Sequence, residues 1–320
     1  PKAKRVQCYK SGRLFCSRFI LPVDSQRPLW YASIMNFLQC GITLDCFEKA
    51  GSFLLTMNFV RYYPIAGLAF LIFWVLGKKA FALRRVQDSF PKAERIWYEI
   101  KYSFGTLVIF TGIGLFSVYL RHFGLTKVYV DLDKYGTWYM IGSFVLLTVW
   151  HETWFYWAHR AMHSKLLFKH VHLVHHRSIN PTPFAAYSFH PIEAVLEGLY
   201  LLIFTMVIPS YRYMVLFHTF YAMLLNIYFH TGYEFFPKNF LRGRITKWIN
   251  TSTHHNMHHS KTHGNYSLYF NFWDRILGTN HPEYQKTFEE IAGRAADASG
   301  GSQSHRPRSG HGVGKEAEAT

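Results

Sequence analysis

Acidic side chains are scarce in this chain, and cysteine is scarcer. Its 320 residues carry 19 Asp and Glu against 35 Lys and Arg, for a formal net charge of +16. Only four Cys occur, at positions 8, 16, 40 and 46. They form no CxxC pair and stand far from the His-rich stretches. That excludes a zinc ribbon or a disulfide scaffold and leaves ordinary reduced or buried thiols. No HExxH motif is present, because His151-Glu152 is followed by Phe155 where the second His is required. No pair of ExxH repeats is present either, which excludes the carboxylate-rich di-iron site of a ferritin-like bundle. No GxGxxG follows a strand-like run, so the chain carries no dinucleotide fold of its own.

What the chain has in excess is positive charge, aromatic rings and histidine. The charge admits nucleic acid or an anionic membrane as partner. The basic residues sit beside apolar runs, which favours the membrane and argues against nucleic acid. Aromatics make up 18% and hydrophobics 49%, as in a chain with embedded helices. Residues 1–28 read as a basic arm, and no signal-peptide pattern is visible. Residues 29–46 are apolar but broken by Asn36, Gln39 and Asp45, which leaves an interfacial helix and a weak span both open.

Apolar runs at 60–76, 104–120, 138–150, 192–208 and 213–228 predict an all-α integral membrane bundle of about four or five spans. N-terminal membrane helices occupy 29–137, a catalytic domain 138–284, and a disordered tail rich in Gly, Ser, Ala and charge 285–320. The 78–101 loop carries Lys78, Lys79, Arg84, Arg85, Lys92, Arg95 and Lys101, and the positive-inside rule places it in the cytoplasm. The third run then crosses back. Pro209-Ser210 turns the last two runs into a hairpin whose ends share a face. Both His-rich stretches therefore meet in a cytoplasmic helical cap. Residues 235–253, basic and aromatic, read as a segment lying on anionic lipid.

Eight of the 19 His fall between 151 and 190, and five more between 254 and 263. Buried imidazoles need partners for their polar nitrogens, so this density points to metal rather than packing. His159 and His163 are spaced i, i+4. His172, His175 and His176 are i, i+3, i+4, as are His255, His258 and His259, and His254 pairs with His258. Each box can place two or three rings around one point. Eight such rings exceed the four ligands of a tetrahedral zinc and suit two ions, some positions being left open. His190 and His230 are candidates as further ligands or as supports of the ligands. Glu152 lies seven residues before His159 on the same helical face, where it could accept a ligand's ring N–H. His151, His254, Asn180, Asn256 and Asp274 are candidates for the same supporting layer. Two other readings stay open: a membrane metal-binding or transport protein, whose ligands should lie within the spans, and a zinc-dependent membrane hydrolase, which needs a general base at fixed spacing.

The boxes HRAMH, HLVHH and HHNMHH, with FYWAHR, NPTPFAAYSFHP, HTGYE and GNYSLYFNFWDRILGT, resemble the fatty acid hydroxylase / sterol desaturase superfamily over roughly residues 145–280. The likeness is to bacterial members of its sterol desaturase branch. It implies a membrane oxygenase with a non-haem di-iron centre, two iron ions using molecular oxygen and two electrons to hydroxylate or desaturate an unactivated lipid C–H. A sterol or related ring lipid is favoured over a fatty acyl chain. The implied ligands are His159, His163, His172, His175, His176, His255, His258 and His259, with His230 as a further one. Electrons would come from an external carrier, cytochrome b5 or a ferredoxin with its reductase. The host membrane would be a bacterial inner membrane or the endoplasmic reticulum. The chain departs from the pattern at Glu152, where the family usually has Asp; that Glu is the expected catalytic carboxylate.

Overall fold

The computed structural model describes residues 43–300, with side chains as far as residue 294. The arm 1–28, the rest of the N-terminal stretch up to residue 42 and the tail beyond residue 300 lie outside these residues. The first helix, α1 (Leu44–Phe70), is capped by the Thr43 hydroxyl, which accepts from the Cys46 amide, with Asp45 in its first turn. It winds on through a π turn, Leu71–Leu76. Cys46 is disulfide-bonded, which corrects the expectation of free thiols at that position.

After a basic loop come α2 (Ala93–His122) and α3 (Gly136–Met162). The short α4 (Leu173–His176) follows, then the hairpin of α5 (Pro191–Val207) and α6 (Arg212–Phe229). Among the described residues the fold is all-α apart from a two-residue parallel pair, β1 (Val128–Tyr129) with β2 (Ser210–Tyr211), and two isolated bridges.

Leu44–Leu76 and Ala93–His122, 33 and 30 residues long, are long and apolar enough to cross a membrane. About 20 residues suffice for 30 Å of hydrocarbon. Only 17% and 22% of their apolar windows are buried inside the protein. Outward rows such as Leu68, Leu71 and Val75 on α1, and Val108 and Phe116 on α2, therefore stand exposed. In water such rows would be an aggregation surface, and in a bilayer they are the ordinary lipid face. The hairpin's helices are shorter, 17 and 18 residues, and its turn is tied to the α2–α3 loop. Lys127, in the α2–α3 loop, donates its amide to Thr205 O at 2.7 Å, and Ser210 N returns a bond to Lys127 O at 3.1 Å. Helix α5 packs tightly on α2, since a Cβ at Gly198 would run into Ile113 Cδ1.

At the opposite end the 77–92 loop straps over the segments that follow α4 and α6. Val86 N donates to Gly232 O (2.9 Å) and Glu234 N to Arg84 O (2.8 Å). Gln87 Nε2 donates to Ile179 O (2.9 Å) and to Asn256 Oδ1 (2.7 Å). The basic loop and the His-rich segments thus share one end of the bundle. There, α7 (Ser252–Lys261) carries the last His box, α8 (Phe272–Ile276) follows, and α9 (Tyr284–Gly300) is the last element among the described residues.

Helix α9 corrects the expectation of disorder over residues 285–300, and residues 301–320 of that tail lie outside the described residues. Tyr284, Phe288, Ile291 and Ala292, spaced i, i+4, i+7, i+8, are buried. Tyr284, Phe288 and Ala292 join Leu241 and Met257 in one cluster. The Gly, Ser and Ala content masked this apolar stripe. Between α6 and α7 the basic, aromatic stretch includes two 3-10 turns, Phe240–Arg242 and Thr246–Trp248.

Candidate metal centre

Five rings, His159, His163, His172, His176 and His258, hold ligand nitrogens within 4.8 Å of one another, and so do four others, His175, His230, His255 and His259. Every ring is buried except His163, which is half-buried. His159 comes from the last turn of α3 and His163 from the residue that ends it. His230 caps α6 and the rest come from α4, the turn before it, and α7.

The second and third boxes do not converge as the spacing suggested but are each divided between two points, while His159 and His163 of the first box stay together in the five-ring set. In α7, His255 and His259 go to the four-ring set and His258 to the five-ring set; in the second box, His172 and His176 go to the five-ring set and His175 to the four-ring set. Helix geometry explains the division. Positions i and i+4 lie about 40° apart around the axis, whereas i+3 lies about 60° to the other side. A helix lying between two sites offers a pair to one and the intervening ring to the other.

Ring nitrogens face each other closely. His159 Nε2 lies 3.0 Å from His172 Nε2, and His258 Nε2 lies 3.1 Å from His163 Nε2 and 2.9 Å from His176 Nε2. In the other set His230 Nε2 lies 3.0 Å from His255 Nε2 and 3.3 Å from His259 Nε2, and the last two are 3.2 Å apart. Four tautomers are fixed by the opposite nitrogen. His159 Nδ1 donates to Tyr266 O (2.8 Å), His258 Nδ1 to Gly264 O (2.8 Å), His230 Nδ1 to Asn226 O (2.8 Å) and His172 Nδ1 to the Glu193 carboxylate (2.7 Å). Their Nε2 atoms are therefore lone pairs. Between His159 and His172 two lone pairs meet head-on, an arrangement that a shared cation reconciles. With bonds of about 2.1 Å, two ligands at right angles to a metal stand about 3 Å apart. The residues present fit a metal ion in each set.

Burial keeps the rings neutral, as ligands must be. It pushes His159 and His230 down to about 4 and His176 to about 3. It holds His172, His175, His255, His258 and His259 well below the ordinary histidine range, with neighbouring rings adding to the effect.

The supporting layer differs from expectation. Glu152 touches no ligand ring, because seven residues of helix put it about 10 Å from His159 along the axis. Its carboxylate accepts the amides of Leu268, Tyr269 and Phe270 at 3.1, 2.6 and 3.1 Å. Asp274 accepts the amides of Tyr266 and Ser267, both at 2.9 Å. Together they fix the 266–270 strip, and with it the Tyr266 carbonyl that orients His159. Gly264, at φ +76°, fits where a Cβ would meet Thr279 O at 2.8 Å. Its turn brings its carbonyl back to His258.

His254 turns away from both sets, its Nε2 lying 3.3 Å from Asn280 Oδ1 and 3.5 Å from Asp274 Oδ2. His151 stacks on Tyr200 at 3.6 Å inside the bundle, its Nδ1 2.8 Å from the Tyr269 hydroxyl. His190 caps α5, its Nδ1 accepting from Ile192 N at 3.3 Å. Asn180 donates to Ser89 O (2.6 Å) and Asn256 accepts from Gln87 (2.7 Å), so both tie the strap rather than a ligand. Sequence reasoning missed Glu193. The available signal was an acid at the head of an apolar run, next to His190-Pro191.

The sequence model described as fatty acid hydroxylase matches residues 144–279. Rat lathosterol oxidase is 35% identical over 173 residues, 53% of this chain and 56% of that protein. Human lathosterol oxidase is 30% identical over 239 residues, 73% of this chain and 76% of that protein. A Delta(7)-sterol 5(6)-desaturase of the fungus Leptosphaeria maculans is 30% identical over 231 residues, 72% of this chain and 60% of that protein. These relatives are mammalian and fungal, and they lend no support to a particular likeness to bacterial members. No solved structure matches the chain significantly. The family match takes in every box from His159 to His259, the human relative is matched over three quarters of its length, and the chain belongs to the fatty acid hydroxylase / sterol desaturase superfamily.

Proposed function

We propose that this chain is an oxygen-dependent oxidase of a membrane lipid, and that it introduces a double bond into a sterol or related ring lipid. The observation that carries the reading is the meeting of nine neutral imidazoles in two sets at one end of a membrane bundle. The sterol assignment rests on the names of the relatives, sterol desaturases and lathosterol oxidases.

Two iron ions, held by the five-ring and the four-ring sets, would supply the reduction of molecular oxygen and the removal of hydrogen from carbon. All-imidazole donors suit iron, and they leave more of its charge uncompensated than carboxylates would. The chain's own residues do the rest. The carbonyls of Tyr266, Gly264 and Asn226 and the Glu193 carboxylate hold the Nδ1 protons, so that the Nε2 lone pairs stay presented inward. Glu152 and Asp274 keep the 266–270 strip in place behind His159. The α5–α6 hairpin, packed against α1–α3, gives an apolar substrate a path from the bilayer to the rings. Electrons come from a separate carrier, cytochrome b5 or a ferredoxin with its reductase. The basic strap that shares the rings' end supports a cytoplasmic orientation, in a bacterial inner membrane or the endoplasmic reticulum.

The test is lipid profiling by mass spectrometry of a host expressing the chain with an electron donor. An oxygen-dependent loss of two hydrogens from a sterol is expected. Gain of an oxygen atom would redirect the reading to hydroxylation. Lipid turnover without oxygen, or a single zinc per purified chain, would defeat it.

A further inference from the structure

A cavity of about 610 Å³ opens between the start of α2 and the exit of the second His box. This volume lies within the range of small-ligand sites, about 300–1,000 Å³. Its polar lining is Lys92, Arg95, Arg177, Tyr98, Asn180 and Glu94, three cations against one acid. Among the described residues no carboxylate lies within ion-pairing distance of any of the three cations.

Two of the cations are held on one ring. The Arg95 and Arg177 guanidinium carbons lie 5.0 and 5.7 Å from the centroid of Tyr98. Three cations gathered on one face against the single acid Glu94 repel one another, and an anion between them turns that repulsion into attraction. Helix α2 also begins here, at Lys92, with no side-chain cap, so the positive end of a 30-residue helix adds to the field.

The level in the membrane is marked by aromatics. Trp97, 69% exposed, stands in the second turn of a helix long and apolar enough to cross a bilayer, and Phe90, 47% exposed, lines the cavity mouth. Exposed Trp on a membrane helix belongs to the headgroup layer, and basic pockets at that level take anionic headgroups. We propose that this cavity binds a phosphate-bearing anion, gripped by Arg95, Arg177 and Lys92, its source being a lipid headgroup or free phosphate. The site lies outside both ring sets. It nevertheless touches the redox end, since Arg177 directly follows His176 and Asn180 bonds to the strap at Ser89. An occupant therefore pins the exit of the second box to the start of α2.

The experiment uses the full metal-loaded chain in phosphatidylcholine nanodiscs and reads acetylation of lysine amines by mass spectrometry. One arm adds inorganic phosphate, and the other replaces part of the lipid by phosphatidylglycerol. Labelling of Lys92 is expected to slow at least fivefold in one arm or both, with no change at Lys261, exposed on the same end outside the cavity. Protection by phosphate alone identifies a free anion, and protection only by phosphatidylglycerol identifies a headgroup; either supports the site. The double variant Arg95→Gln, Arg177→Gln, checked for helix content and bound metal, should lose at least tenfold in affinity for whichever probe protects. If that variant does not fold, the labelling of the unaltered chain still decides. Equal labelling of Lys92 in all conditions overturns the proposal. So does a folded variant that binds as the parent does, or protection of Lys92 only by an acidic redox protein.

Discussion

Removing Glu193 should cost one metal ion and spare the other. Its carboxylate meets His172 Nδ1 at 2.7 Å, and the two side chains are 1% and 2% exposed. In Glu193→Ala the ring keeps a buried N–H with no acceptor, a penalty of about 1–3 kcal/mol. Loss of the partner behind a metal-bound histidine typically weakens metal binding about 10–100-fold, which is about 1.4–2.8 kcal/mol. The two routes agree in size. Only the five-ring set contains His172, so the loss falls on one ion. Metal counted by mass spectrometry after dialysis against graded chelator should step from two per chain to one before the second is released. Glu193→Gln keeps an oxygen in place and gives up only the charge, so it should shift the first step by tenfold or less. The fold should suffer less than the metal site, because the substitution to Ala also removes the Glu193 Oε2 atom, which is buried without a partner. Unchanged affinity for both ions in Glu193→Ala, or equal loss of both, would refute the argument.

His258→Ala takes out the ring whose Nε2 faces both His163 and His176; it should abolish turnover and lower bound metal, whereas His311→Ala should leave both unaltered, and a fully active His258→Ala protein contradicts the metal assignment. Phe288→Ala empties a fully buried site in α9 and should cost about 3–5 kcal/mol of stability in thermal unfolding without changing metal content; a cost under about 1 kcal/mol would mean that α9 does not dock. The Glu289 carboxyl is held down at about 2, chiefly by its hydrogen bond from Arg242. Its folded value lies below the unfolded one of about 4.3, so its contribution is present above that value and fades as pH falls towards 2; limited proteolysis of α9 should rise across that window, and Glu289→Gln should flatten the rise. Reporter tags after residues 90 and 240 should read as the same, cytoplasmic side, and a tag near residue 128 as the opposite one.

Much of the site was legible because histidine spacing is local. One turn of helix brings His159 beside His163, or His255 beside His259, whatever the rest of the chain does. The same local rule hid the division of the boxes. It shows which rings share a face but not that a second site stands on the other side of the helix axis. Two of the apolar runs, 60–76 and 104–120, were legible for a similar reason, since a span must be hydrophobic along its whole length. The tail failed because composition was weighed there instead of periodicity, and four apolar positions in α9 outweigh its small residues.

The two carboxylates show where local reading ends. Glu152 shares a helix and a face with His159, and that nearness suggested a direct contact. On a helix, nearness in sequence is also distance along the axis, and the Glu152 carboxylate is taken by three amides more than a hundred residues away in sequence. Glu193 stands 21 residues from His172 across a Pro-rich loop, and no periodicity links the two. What joins them is the turn 183–190, folded back against α1 and α2, which sets the first turn of α5 behind the second box. A carboxylate at the head of an apolar helix is costly to bury unless something accepts its charge. In this chain the partner is the N–H of a ring whose other nitrogen faces the candidate metal site and which donates to the carboxylate, so the cost of burying the acid and the orientation of the ligand are settled by one hydrogen bond.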